Sequence, residues 1–205
     1  VYDQWVIDGR RERGQATRER LIEAARAQFG AYGYESASLD AILGAAGVKR
    51  GALYHHFESK QALFDSVLDR VVEEIAARVA RAARAARDPV ESLRIGCRTW
   101  LRMALDPAVQ QIVLIDPPSV VGWTRWREID ERHTLGRLQR NLEQLAEHGR
   151  LANGDVALLA HMVLASVNEA ALLIAHADKP RAALRVGEAT VDTLLTGLVP
   201  DATAH

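Results

Sequence analysis

The chain has 205 residues, 48% of them hydrophobic and 26% charged, with a formal net charge of −1. That length suits one large domain or a small one joined to a larger one, and the near-neutral balance excludes a protein that coats nucleic acid indiscriminately, so any DNA contact must come from a local patch. A single cysteine, Cys97, excludes an internal disulfide framework and a multi-cysteine metal site, and the cytoplasm is the compartment expected.

In chain order, Val1–Gly9 lacks the basic start and apolar core of a signal peptide, and no apolar run is expected to reach the roughly 20 residues of a membrane helix. Residues 1–14 read as a flexible arm, whose basic Arg10, Arg11 and Arg13 suit either a solvated tail or a contact with phosphate or the minor groove. A first amphipathic helix is expected from Thr17 to Tyr32. Thr17 serves as its cap, and Leu21, Ala25, Phe29 and Tyr32 recur on its packed side. Gly33 breaks it.

From Ser38 to Lys60 the sequence reads as a helix, a tight turn and a second helix. Ser38 can cap the first through its hydroxyl, with Asp40 set against the positive end of the helix dipole. Leu39, Ile42, Leu43 and Ala46 give that helix one apolar face, and Gly47 supplies the left-handed conformation that closes it. In the second helix Val48, Leu53 and Phe57 point inward. Lys49, Arg50, Gly51, Ala52, Tyr54 and His55 remain for an outer face that is cationic and aromatic with small gaps. Long donors there reach phosphates and base edges of a DNA major groove, and small residues permit close approach. The wider patch agrees: residues 10–60 hold nine Lys or Arg against six acids, which leaves the rest of the chain net acidic.

At these residues the chain resembles the tetracycline-repressor (TetR) family. The resemblance rests on Ala46-Gly47-Val48, then Gly51-Ala52-Leu53-Tyr54-His55-His56-Phe57, then Ser59-Lys60, three pieces in register. Lys49 stands where the family often has Ser or Thr, a departure that bears on base preference rather than on fold. The resemblance implies DNA contacts from Thr17, Ser38, Lys49, Arg50, Gly51, Ala52, Tyr54, His55 and Lys60, a double-stranded operator, a homodimer and a small-molecule effector.

Beyond Ser59 a fourth helix is expected, with Leu63, Phe64, Val67, Leu68, Val71 and Ile75 packed and Lys60 in its first turn, placed to reach a phosphate. Arg78, Arg81, Arg84 and Arg87 read as a solvated face near its negative end. Asp88-Pro89-Val90-Glu91 is a helix start, since Pro suits the first helical position and the acids satisfy free amides. A short helix from Asp106-Pro107 to Ile115 should end at Pro117-Pro118, and a long one should run from Val120 to His148 and stop at Gly149. Asp155–Ala177 and Arg181–Leu198 complete the chain. Their surplus apolar surface points to a two-fold partner, with outward positions expected among Val163, Val167, Leu194 and Leu195.

Seven histidines are scattered without metal-ligand spacing, and no glycine-rich phosphate loop or nucleophile turn is present, so no enzyme and no cofactor are expected. Cys97 reads as core. The expected architecture is all-α, about nine helices. A head of residues 15–60 follows the arm, and a ligand-binding and dimerising body covers 61–205. Trp100, Met103, Trp123, Trp126, His133, His161, Met162 and Asn168 are the candidate effector contacts, mixing apolar bulk with few polar tips. An apolar or aromatic effector is expected, with Arg125 and Arg127 facing solvent. The competing reading is a helix-turn-helix protein whose body binds a protein partner or nothing.

Overall fold

The computed structural model describes residues 2–152 and 154–199, with side chains from residue 11 onward. Among them every regular element is helical. α1 runs Tyr2–Ser36, broken at Gly33, so the expected flexible arm is helical from Tyr2. The physical reason is local: Arg, Glu and Gln around Gly14 are good helix formers, and the arm's two glycines, Gly9 and Gly14, cost only about 1 kcal/mol each. Thr17 is therefore not a cap. Its hydroxyl lies inside the helix and donates to the Arg13 carbonyl at 2.9 Å. The side chains of Val1–Arg10 lie outside the described residues.

Gly33 has φ 73°, and a Cβ there would meet Gln111 Nε2 at 2.9 Å, so both its backbone conformation and the close approach call for glycine. α2 (Leu39–Ala46) is capped by Ser38, which accepts from the Ala41 N–H at 3.3 Å, and closed by Gly47 at φ 64°. α3 (Arg50–His56) follows after the turn. Its N-cap Lys49 makes no side-chain cap bond. Ser59 caps α4 (Lys60–Ala83) by accepting from the Ala62 N–H at 3.0 Å.

Asp88 caps α5 (Pro89–Met103), with Pro89 in its first turn. α6 (Pro107–Val109) passes into a π-helical stretch, Gln110–Ile115. The short helix ends before Pro117-Pro118 as expected, but the prolines do more than stop it. Pro117 opens another short helix, α7 (Pro117–Val120), because a first helical position has no amide to lose. Gly122 at φ 81° then separates α7 from α8 (Trp123–Asp130), so the long helix begins at Trp123 and not at Val120. A second π-helical stretch, Glu131–Leu135, joins α8 to α9 (Gly136–Glu147). α10 (Val156–Ala175) and α11 (Pro180–Leu198) close the body.

Two buried clusters form the interior. One joins α1–α4 to the body through Val109, Ile112, Val113 and Ile129, while the other lies among α5, α9, α10 and α11. The cut expected at residue 60 thus falls at the cap of a helix whose first turns, Leu63, Phe64 and Val67, belong to the head's core. Phe29, Tyr34 and Phe64 pack there with centroids 5.1–5.8 Å apart. Tyr32, expected on the packed side, is 62% exposed, because the backbone leaves helical geometry one residue later.

α10 is long and apolar enough to cross a membrane by length and composition, contrary to the sequence expectation. Its apolarity has two sides. Val163, Val167 and Ile174 face the core, while Leu158, Met162 and Leu173 face outward. Val163, Val167 and Leu195, expected among outward positions, are therefore buried, and Leu194 with Val186 carries the exposed face of α11.

Candidate nucleic-acid interface and body cavity

The head presents α3 by one face and holds it by the other. Leu53 and Phe57 are buried in the core, and the Arg18 guanidinium lies 5.2 Å from the Phe57 ring centre. Lys49, Arg50, Gly51, Tyr54 and His55 are exposed, and Ala52 is half-buried. A Cβ on Gly51 would meet nothing within 4 Å, so a second surface can approach closely here. Ser38 is exposed at the start of α2, whereas Thr17 is half-buried.

Two of the expected contacts are partly committed elsewhere. Arg50 pairs with Asp40 at 2.9 Å, both exposed, an interaction worth at most about 1 kcal/mol and easily exchanged for phosphate. Lys60 does not reach outward. Its ammonium donates to the Glu35 carbonyl at 3.3 Å and sits 4.7 Å from the Tyr34 ring centre, tying α4 to the end of α1. Burial, then the charges of His55 and Arg18, hold the pKa of His56 below the usual histidine value, which disfavours its charged form beside the basic face.

The body holds a partly open cavity of about 110 Å³ among α4, α5, α8–α10 and the π-helical stretches. Of the eight candidate effector residues, Trp100, Trp126 and Asn168 line it. The other five lie elsewhere. Trp123 is 63% exposed and packs edge-on against Trp126 at 5.1 Å, and Met162 is on the outer face of α10. Met103 packs toward the head's core, His133 bonds Asp69 at 3.1 Å, and His161 faces Glu131 at 3.7 Å.

Sequence reasoning missed several of the cavity's polar groups, two of them charged. Asp130, Thr134 and Arg137 line it together with Asn141. Asp130 Oδ2 accepts from Asn168 Nδ2 at 2.7 Å, and Asn168 Oδ1 accepts from Trp100 Nε1 at 3.0 Å. Burial raises the pKa of Asp130, while hydrogen bonds from Asn168 and Thr134 and the charge of Arg127 pull against that rise. A signal existed: Asp130 follows Trp126 by four residues and shares its helical face, so an inward Trp126 implies an inward Asp130. Cys97 also lines the cavity, and burial pushes its thiol up to about 12, which leaves it a neutral wall group. Among the described residues no group of three or more His, Cys, Asp or Glu could hold a metal ion.

Two polar clamps join head and body. Asp116, at the end of the first π-helical stretch, accepts from the Tyr34 N–H and from Gln111 Nε2, each at 2.7 Å. Arg125 forks onto Asp65 of α4 at 2.7 and 2.9 Å, and that bond holds its pKa above the ordinary arginine value. Arg125 and Arg127 are thus half-buried and paired, not solvent-facing as expected, because α8 lies against α4 and Arg127 reaches Glu131.

The family model described as bacterial regulatory proteins, tetR family, matches residues 21–67, and the one described as tetracyclin repressor-like, C-terminal domain, matches residues 90–198. A solved TetR-family transcriptional regulator from Pectobacterium atrosepticum is 35% identical with a TM-score of 0.82, over 93% of this chain and 98% of that one. The transcriptional repressor AcnR of Corynebacterium efficiens is 30% identical over 74% of this chain and 77% of its own length. The transcriptional regulator UidR of Escherichia coli K12 is 35% identical over 43% of this chain, and the match spans 41% of its own length.

Proposed function

The chain belongs to the TetR family of bacterial regulatory proteins, and from that membership we propose that it is a transcriptional regulator, a repressor that binds an inverted-repeat operator as a homodimer. The observation that carries the reading is α3. It is a short helix after a glycine turn, anchored by Leu53, with Lys49, Arg50, Gly51, Tyr54 and His55 all exposed on its outer side. Such a helix fits a major groove, and two copies read two half-sites about 34–36 Å apart or a multiple of that. The second copy docks on the apolar stripe of Leu158, Met162, Leu173, Val186 and Leu194, positions that a monomer would leave in water. Action in the cytoplasm, where operator DNA lies, follows from the same reading.

The body acts as the sensor. A small molecule that binds better when the two α3 helices are wrongly spaced shifts the population off the operator. The cavity supports this through its tryptophans and Asp130, but at about 110 Å³ it falls below the roughly 300 Å³ at which drug-sized pockets begin. That volume favours a second reading, in which the body responds to a protein partner or to nothing.

Affinity selection from a pool of random duplexes tests the DNA reading. Enrichment of an inverted repeat, bound by dimers and lost in Leu194→Glu, is the expected result. Absence of any enriched sequence sinks it. Titration of the enriched duplex with small ring compounds separates the sensor from the ligand-free alternative.

A further inference from the structure

The body cavity contains a charge that an apolar wall does not call for. Asp130 lines it, yet among the described residues no cation lies at ion-pair distance from its carboxylate, and the Arg127 guanidinium is committed to Glu131 at 3.2 Å. Its orientation is fixed nonetheless. Asn168 bridges Trp100 to Asp130, using the tryptophan's donor, its own carbonyl and one of its amide hydrogens. An ionised carboxylate has about four acceptor positions, and this relay with the Thr134 hydroxyl fills only part of them. Burial raises the pKa of Asp130, and the charge of Arg127, itself paired with Glu131, offsets that rise only in part.

Trp100 and Trp126 line the same space. A carboxylate beside tryptophan rings satisfies a cation on an apolar body, through a charge-assisted hydrogen bond and the attraction of aromatic faces. An anion would meet repulsion, and a neutral hydroxyl would donate one bond but leave the charge uncompensated. Size narrows the choice further. An apolar cavity of about 150 Å³ admits benzene, so about 110 Å³ holds no more than a single ring without movement of the walls. Arg137, the exposed lining residue, stands seven positions beyond Asp130, and its exposure leaves its charge screened by solvent.

We propose that the effector is a small single-ring amine, bound as its ammonium ion with the nitrogen on Asp130 and the ring against Trp100 and Trp126. This rests on the sensor reading above and names its ligand class.

The test is calorimetric titration of the full chain near neutral pH with three matched probes: benzylamine, benzyl alcohol and benzoate. Benzylamine should bind at least about tenfold more tightly than benzyl alcohol, with benzoate weakest. Asp130→Asn, which keeps the shape, should bring benzylamine down to the level of benzyl alcohol and leave the alcohol within about threefold of its original affinity. Equal binding of amine and alcohol by the unaltered chain, or tightest binding of benzoate, overturns the charge selection while leaving a real pocket. An amine preference that survives Asp130→Asn overturns the assignment to Asp130. Failure of all three probes to bind overturns the single-ring ligand class, while the sensor reading stands or falls on the operator titration described above. Should the variant not fold, the comparison of three probes on the unaltered chain still decides the charge selection.

Discussion

Head and body place their polar chemistry on opposite sides of a similar helical wall. In the head the interior is apolar and aromatic, and the charged groups of α3 stand in water around Tyr54. In the body the outer faces of α10 and α11 expose Leu158, Met162, Leu173, Val186 and Leu194, and Asp130 with Asn168 lines the cavity. On the functions proposed above, the difference follows from the size of what each region would meet. A surface for a long polyanion must stay outside, where each exposed charge is screened and individually weak. A site for a small molecule removes water, so every polar atom there needs a partner and one unmatched carboxylate selects its occupant.

The largest expected effect comes from breaking what the two regions share. Phe64 packs against Phe29 and Tyr34 in the cluster that also holds Ile112 and Ile129 of the body. Phe64→Ala should cost about 3–5 kcal/mol in urea unfolding. Because that core is continuous, circular dichroism and tryptophan fluorescence should report one transition, shifted together. Two separate transitions would mean that head and body fold as independent units and that the contrast between them is one of domains.

Asp116→Ala comes next. It strands the Tyr34 N–H, which is held at 2.7 Å, and frees the Gln111 side chain, for about 1–3 kcal/mol of stability. The first π-helical stretch carries Val113 and Leu114 into the cavity wall and is followed directly by Asp116. If it transmits occupancy to the head, the effect of benzylamine on operator affinity should fall at least about threefold in this variant. Unchanged coupling, measured by anisotropy of labelled operator with and without the amine, assigns transmission to the Arg125–Asp65 clamp instead.

Legibility in the sequence divides along the same line. Ser38, Gly47, Ser59, Asp88 and Asp155 mark helix ends correctly because a cap depends on residues at most a few positions away. The outer face of α3 is legible for the same reason, since Leu53 fixes which side is buried. Trp123 and Trp126 are three residues apart on one helix, and only the packing of α8 on α4 decides that the second turns inward and the first does not. The π-helical stretches at 110–115 and 131–135 shift the register of the faces that follow, and nothing in their composition announces them. Gly33 shows the mixed case: the break was legible, but its effect on Tyr32 and the approach of Gln111 were not.

On the surface of the head, effects should be smaller and sorted by what they do to sequence preference. Tyr54→Ala, at an exposed position on the outer side of α3, should lower operator affinity by about 1–3 kcal/mol while changing random-duplex binding little. Lys49→Ala should weaken both alike and lower the salt slope by about 1, as loss of a phosphate contact does. Equal effects of the two substitutions on every duplex would place α3 along the backbone, outside the groove.

Lys60→Ala should have the smallest effect of all on DNA binding, and it most sharply separates the structure from the sequence pattern. Position alone puts Lys60 in the first turn of α4 beside the recognition helix, where an extended ammonium would meet phosphate. In the fold the side chain bends back to the Glu35 carbonyl and the Tyr34 ring, and Lys49 is the lysine left exposed at the turn. Extending Lys60 to a phosphate would forfeit a cation–π contact of about 0.5–1 kcal/mol and one hydrogen bond, roughly cancelling the gain from an exposed phosphate pair. Salt-dependent anisotropy should therefore give Lys60→Ala a slope within about 0.3 of the unaltered chain's, against a loss near 1 for Lys49→Ala. Denaturant unfolding should register the missing tie between α1 and α4 instead, at about 0.5–1 kcal/mol. A full unit lost from the salt slope on Lys60→Ala, with stability unchanged, would show that the side chain leaves Tyr34 when DNA arrives.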